Sequence, residues 1–246
     1  MSSIFLGIGV IAITIIVHEF GHLLAAKKLK VPVSQFSIGF GPVIKKLFVW
    51  DGTAIVISMF LAGGYVELAD KNGMKSVPPN KRWKMAIAGP LANNILAALT
   101  IIVMIGLKYG WRGILVGIPI SIIGVTLVTI LLLPLILIAM MGYGGWNSIG
   151  GPISAIVGIS SMATTDGLIG ILLAVVLVNI SIAAINLIPI GSLDGAYILG
   201  AWVEGKPKLK KAFNVFQVFG WCLLIITIIR AFSTDMALVI SNIWPH

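Results

Sequence analysis

His18, Glu19 and His22 form a His-Glu-Phe-Gly-His run inside an apolar stretch, Ile4 to Ala26. On a helix, residues four apart lie one above the other, so both imidazoles can bind one metal ion. Glu19, next to the first imidazole, can then reach a water held by that ion. A strongly polar or ionised side chain near mid-bilayer costs roughly 2.5–3.5 kcal/mol on insertion scales. Three such groups together need a compensating partner, and zinc supplies one. Structural zinc takes four protein ligands, whereas catalytic zinc usually takes three and keeps one position for water.

The elements that must carry these groups are membrane spans. Of 246 residues, 59% are hydrophobic and 10% charged, and the mean hydropathy is +1.09. A soluble domain carries about 25% charged residues. The stretch Ile4 to Ala26 lacks a basic leader and exceeds the usual 7–15 apolar residues of a signal peptide, so it reads as a retained span. Four spans are expected, at about 4–26, 85–107, 168–190 and 212–229, each near the ~20 residues a crossing helix needs. The apolar segment Ile114 to Met141, interrupted by Gly117, Pro119, Gly124 and Pro134, is expected to be re-entrant or membrane-lying. A second dip by Gly142 to Gly158 is the alternative. Residues 33–68 are β-branched and aromatic, with turn signals at Asp51-Gly52 and Gly63-Gly64, and predict a small membrane-associated sheet. The expected fold is a mainly α membrane protein with that sheet between its first two spans, in a single domain of residues 1–246.

Charge bias gives direction. Ten lysines and arginines lie between Lys27 and Lys84, and Lys206, Lys208, Lys210 and Lys211 form a second cluster. The positive-inside rule puts both clusters in the cytoplasm and the N-terminus outside. The net charge of +9 is read as topology and contact with anionic lipid, not nucleic acid, since no motif accompanies it. Cys222 is the single cysteine, which excludes an intrachain disulfide framework.

The third ligand must come from eight acidic residues, because the remaining histidine is His246. Asp194 stands out by closing the apolar run from Leu168. With the topology above, its span runs inward, so Asp194 reaches the same half of the membrane as His18 and His22.

These residues resemble the site-2 proteases, intramembrane zinc metalloproteases. The likeness rests on the 18–22 motif, on Gly89-Pro90-Leu91-Ala92-Asn93, and on Asn186, Pro189, Leu193, Asp194 and Gly195 at their spacing. Phe36 to Gly41, Gly63 to Val66 and Gly151-Pro152-Ile153 extend it. The resemblance implies one zinc ion on His18, His22 and Asp194, with Glu19 as the catalytic carboxylate. It implies that Asn186 and Pro189 position substrate, and that substrates are transmembrane proteins already trimmed by another protease. A prokaryotic plasma membrane fits the compact build. The family's motif commonly has a second proline where Gly191 stands here, and bacterial relatives often carry PDZ domains for which this chain has no room.

Further roles follow from the chemistry. A second oxyanion donor is expected from Asn93 or Asn186, although an intramembrane asparagine also serves as interhelical glue. A helical substrate must become extended, and strand addition to a sheet edge would hold it. The apolar stretch Ala54 to Leu61 is the expected edge, with Ala54, Ile55, Val56, Ile57 and Ser58 as its substrate-binding residues. The competing readings are a non-catalytic zinc-binding scaffold or chaperone, which has no use for Glu19, and a zinc transporter, which needs a continuous polar path.

Overall fold

An apolar run that carries His18, Glu19 and His22, with lysines only at its end, forms the first helix, α1 (Ser2–Lys28), in a computed structural model that describes residues 2–142 and 150–243. Two long strands follow, β1 (Val33–Trp50) and β2 (Thr53–Leu68), then a single 3-10 turn at Gly73–Ser76. Four more helices complete the described chain: α2 (Pro79–Met140), α3 (Pro152–Leu187), α4 (Asp194–Val203) and α5 (Pro207–Ile243). Four of the helices, α1, α2, α3 and α5, are long and apolar enough to cross a membrane. They expose isoleucine, leucine, valine and phenylalanine along much of their length, as surfaces solvated by lipid do.

Two of these helices are hairpins. At Gly110 (φ 67°, ψ −164°) and at Gly167 (φ 56°, ψ −132°) the backbone leaves helical geometry for a region open essentially to glycine alone. The limbs then return alongside themselves. In α2, Thr129 donates to Asn94 Oδ1 at 3.0 Å, and Ala97, Ala98 and Val125 share a core with Val176 and Ile180 of α3. Ile114 to Met141, expected to be irregular, is therefore helical as far as Met140 and packs back on the limb before it. Its prolines do not end the helix, because neighbouring helices and serine and threonine side chains can re-satisfy freed backbone groups in a bundle. The tract 142–158 proposed as a second dip falls partly outside the described residues. Its described end begins α3, where Asp235 of α5, 1% exposed, accepts backbone N–H bonds from Gly151, Ile153 and Ser154.

The sheet has a less obvious order. β1 and β2 pair antiparallel, with the tight turn at Asp51-Gly52 that the sequence predicts. Both strands bend, so that Gln35–Ile38 lie between two stretches of β2. On one side their partners are Gly64–Glu67; on the other they are Ala54–Ile57, whose numbers rise together with those of Gln35–Ile38. The second half of β1 pairs with Ala54–Ser58 from the far side. Leu23 and Ala26 of α1, Val33, Phe36 and Ile55 of the sheet, and Met85 of α2 form one buried cluster. Stacking of Phe20 on Trp50 and the ion pair of Lys27 with Asp51 fasten the hairpin to α1.

The two basic clusters meet at one end of the bundle, where Arg82 donates to Glu204 at 2.6 Å. Lys108 and Arg112 flank the Gly110 reversal, one limb of α2 away.

Candidate metal centre

α1 presents His18, Glu19 and His22 from one turn and a half, and the fold brings Asp194 to them from the far end of the chain. α3 stops at Leu187, and Ile188 and Ile190, both fully buried, plug the turn that leads into α4. Gly191 in that turn has φ +60°. Proline is locked near −65°, so the family's second proline could not stand in this turn as it is built. Asp194 is the first residue of α4.

Three atoms converge. His18 Nε2 lies 3.1 Å and His22 Nε2 3.2 Å from Asp194 Oδ2, and the two Nε2 atoms are 3.2 Å apart. The far side of each imidazole decides what those atoms carry. His18 Nδ1 is 2.6 Å from Asn93 Oδ1. The Asn93 amide donates to Thr14 O and Asn179 Oδ1, so its own oxygen is the acceptor and His18 Nδ1 carries the proton. His22 Nδ1 donates to the Met85 carbonyl at 2.8 Å. In the neutral imidazole the opposite nitrogens then hold lone pairs. With both imidazoles neutral, two lone pairs and a carboxylate oxygen face one another, a set that a cation would bridge. Asp194 Oδ2 is buried without a hydrogen-bond partner among the described residues.

This arrangement fits a zinc ion. Tetrahedral bonds of about 2.0–2.2 Å set ligand atoms roughly 3.3 Å apart, close to the spacings here. The three residues are the group of candidate ligands found among the described residues. α2 passes directly behind them: a Cβ on Gly89 would lie 2.4 Å from His22 Nε2 and 2.8 Å from His18 Cε1. Only glycine lets the helix run that close.

Glu19 shares a cavity of about 100 Å³ with His22, Asp194, Val66, Leu68, Met74, Met85 and Tyr197. The Val66 backbone N–H interacts with its carboxylate. The edge of the sheet nearest Glu19 is therefore Gly64–Leu68, which pairs with β1 on one side only.

Several expectations change at this point. Ala54, Ile55, Val56 and Ile57 are not an edge: each pairs on both sides, and Ser58 pairs with Val43 and is buried. Asn93 is 0% exposed with both amide hydrogens spent, so it holds His18 rather than substrate. Asn186 donates to Ile182 O within α3, and the Pro189 carbonyl accepts from Gln217 of α5 at 2.7 Å. Thr14 and Asn179, which complete the Asn93 network, were missed, although polar residues within spans 4–26 and 168–190 were the available signal. Tyr197 was missed too, since nothing before the fold set α4 apart as a short helix starting at Asp194.

Residues 6–227 match peptidase family M50, and the chain belongs to that family, the site-2 proteases. It is accordingly an integral membrane protein. Over 100 residues it is 42% identical to the regulator of sigma E protease of Haemophilus influenzae, covering 35% of this chain and 22% of that protein. Over 130 residues it is 32% identical to the regulator of sigma-E protease RseP of Escherichia coli, covering 48% and 26%. A Nostoc protein named as a candidate zinc metalloprotease is 34% identical over 115 residues, covering 42% and 31%. The chain thus matches between about a fifth and a third of the length of these relatives.

Outer-shell partners of metal ligands are worth 10- to 100-fold in affinity. Replacing Asn93 with Ala should therefore weaken zinc binding about 10- to 100-fold in a chelator competition. Unchanged affinity would show that the His18 tautomer needs no support from Asn93.

Proposed function

We propose that this chain is a zinc-dependent intramembrane endopeptidase that hydrolyses peptide bonds in transmembrane segments of other membrane proteins. The observation that carries it is the convergence of His18 Nε2, His22 Nε2 and Asp194 Oδ2 beside a carboxylate outside that set, Glu19. A structural site has no use for that carboxylate, which weighs against the scaffold reading.

Zinc, when bound, supplies a Lewis acid that activates water and polarises the scissile carbonyl. Asn93 and the Met85 carbonyl keep both imidazoles turned toward Asp194. Glu19 takes the proton released by the attacking water and returns it to the leaving amine, which contributes on the order of 10²–10⁴-fold. The Gly64–Leu68 edge receives the unwound substrate as an added strand. Its closeness to Glu19 supports this: a Cβ on Gly64 would sit 3.5 Å from Glu19 Cγ. Asn186 spends one amide hydrogen on Ile182 O and keeps another for a substrate carbonyl, while Pro189 is held against α5 by Gln217.

The two basic clusters meet at the end of the bundle nearer the metal ligands, which supports a cytoplasmic-half site with the N-terminus outside. Two relatives are named as proteases that regulate sigma E. By analogy, the substrate here is a membrane protein of a regulatory pathway, trimmed first by another protease.

Glu19→Gln should abolish cleavage of a reconstituted transmembrane substrate while one zinc per chain is retained by elemental analysis. Cleavage at the wild-type rate would sink the protease reading. For the strand, a cysteine at Val66 should crosslink to a cysteine near the substrate's scissile bond in a chain lacking Cys222, and one at Ile57 should not. The reverse pattern would return the edge to β2's first half.

A further inference from the structure

The cavity against Glu19 has a simple inventory of side-chain hydrogen-bond donors. Val66, Leu68, Met74 and Met85 offer none, Glu19 and Asp194 are acceptors, and His22 has turned its N–H to Met85. That leaves Tyr197. It is half-buried, and its hydroxyl makes no hydrogen bond among the described residues. On α4 it follows Asp194 by three residues, so the two side chains leave the same face of the helix.

Tyr197 also borders a second, larger cavity of about 560 Å³ between α4 and α5, which Gly191, Phe213 and Trp221 help to line. The phenol therefore stands where the small catalytic cavity adjoins a larger one. A neutral donor in that place can meet a peptide laid across the metal ligands.

Resting on the protease reading, we propose that the Tyr197 hydroxyl is a further catalytic residue, donating a hydrogen bond to the scissile carbonyl oxygen as that oxygen gains negative charge. The phenol keeps its proton throughout, so no bond to it is made or broken. A donor fixed in a water-poor site acts mainly on the developing charge and weakly on the neutral carbonyl. Of the two sequence-based candidates for this task, Asn93 has no hydrogen to spare and Asn186 does not line this cavity. Among the described residues that line this cavity, Tyr197 is the side-chain donor left to meet that oxygen.

Tyr197→Phe tests this with the ring, and hence the packing of α4, preserved. Loss of one such donor costs on the order of 10²-fold in kcat, and that fall is expected with KM and bound zinc unchanged. Two binding measurements separate the role from a structural one. Substrate affinity measured in a Glu19→Gln background should not change when Tyr197→Phe is added. Affinity for a peptidyl phosphinate, which mimics the charged tetrahedral carbon, should fall in step with kcat. An undiminished kcat, loss of zinc, or equal losses of substrate and phosphinate affinity would each overturn the proposal. If wild-type chain cleaved nothing, the protease reading would fail separately, and equal phosphinate affinity in both chains would still reject the role of Tyr197.

Discussion

Two imidazole nitrogens and a carboxylate oxygen lie within 3.1–3.2 Å of one another, inside a bundle that faces lipid. With the imidazoles neutral, such a cluster of acceptors calls for a cation between them, because burying an uncompensated carboxylate costs several kcal/mol or more. Much of the fold works to maintain that convergence. Gly89 lets α2 lie against the imidazoles, Ile188 and Ile190 anchor the turn into α4, and Gln217 ties that turn to α5. The Thr14–Asn93–Asn179 network links α1, α2 and α3 directly behind His18.

That network also accounts for polar residues deep in apolar helices. Asn93 and Asn179 are each 0% exposed, and an unpaired amide there would be costly. They satisfy one another, the Thr14 hydroxyl and the backbone carbonyls of Thr14 and Val175, and the chain ends on His18 Nδ1. Interhelical glue and metal-site orientation are therefore one interaction seen from two ends. A substitution in the network acts on bundle packing and on metal affinity together.

The parts of the site that could be read in advance were those set by local spacing or by depth. His18 and His22 are four apart on one helix, and Asp194 closes an apolar run whose direction follows from the lysines. The sheet was less accessible. Alternation and turn residues mark its strands and the Asp51-Gly52 turn, but strand order depends on where Gln35–Ile38 insert, a long-range choice with no local mark. Ala54–Ser58 accordingly looked like an edge and proved internal. Ile114–Met141 misled for a different reason: its glycines and prolines suggest interruption, yet the helix reverses at Gly110, before that segment begins. Tyr197 becomes meaningful only once α4 is known to begin at Asp194.

His18, His22 and Asp194 are expected to hold one zinc ion together beside Glu19. X-ray absorption at the zinc edge, on the purified detergent-solubilised chain, addresses it directly. The expected first shell contains two imidazole nitrogens and carboxylate oxygen at about 2.0–2.2 Å, with water completing it. Asp194→Ala should lose the carboxylate contribution along with most of the bound metal. A shell unchanged by Asp194→Ala, or wild-type protein without stoichiometric zinc under metal-replete conditions, would contradict the account.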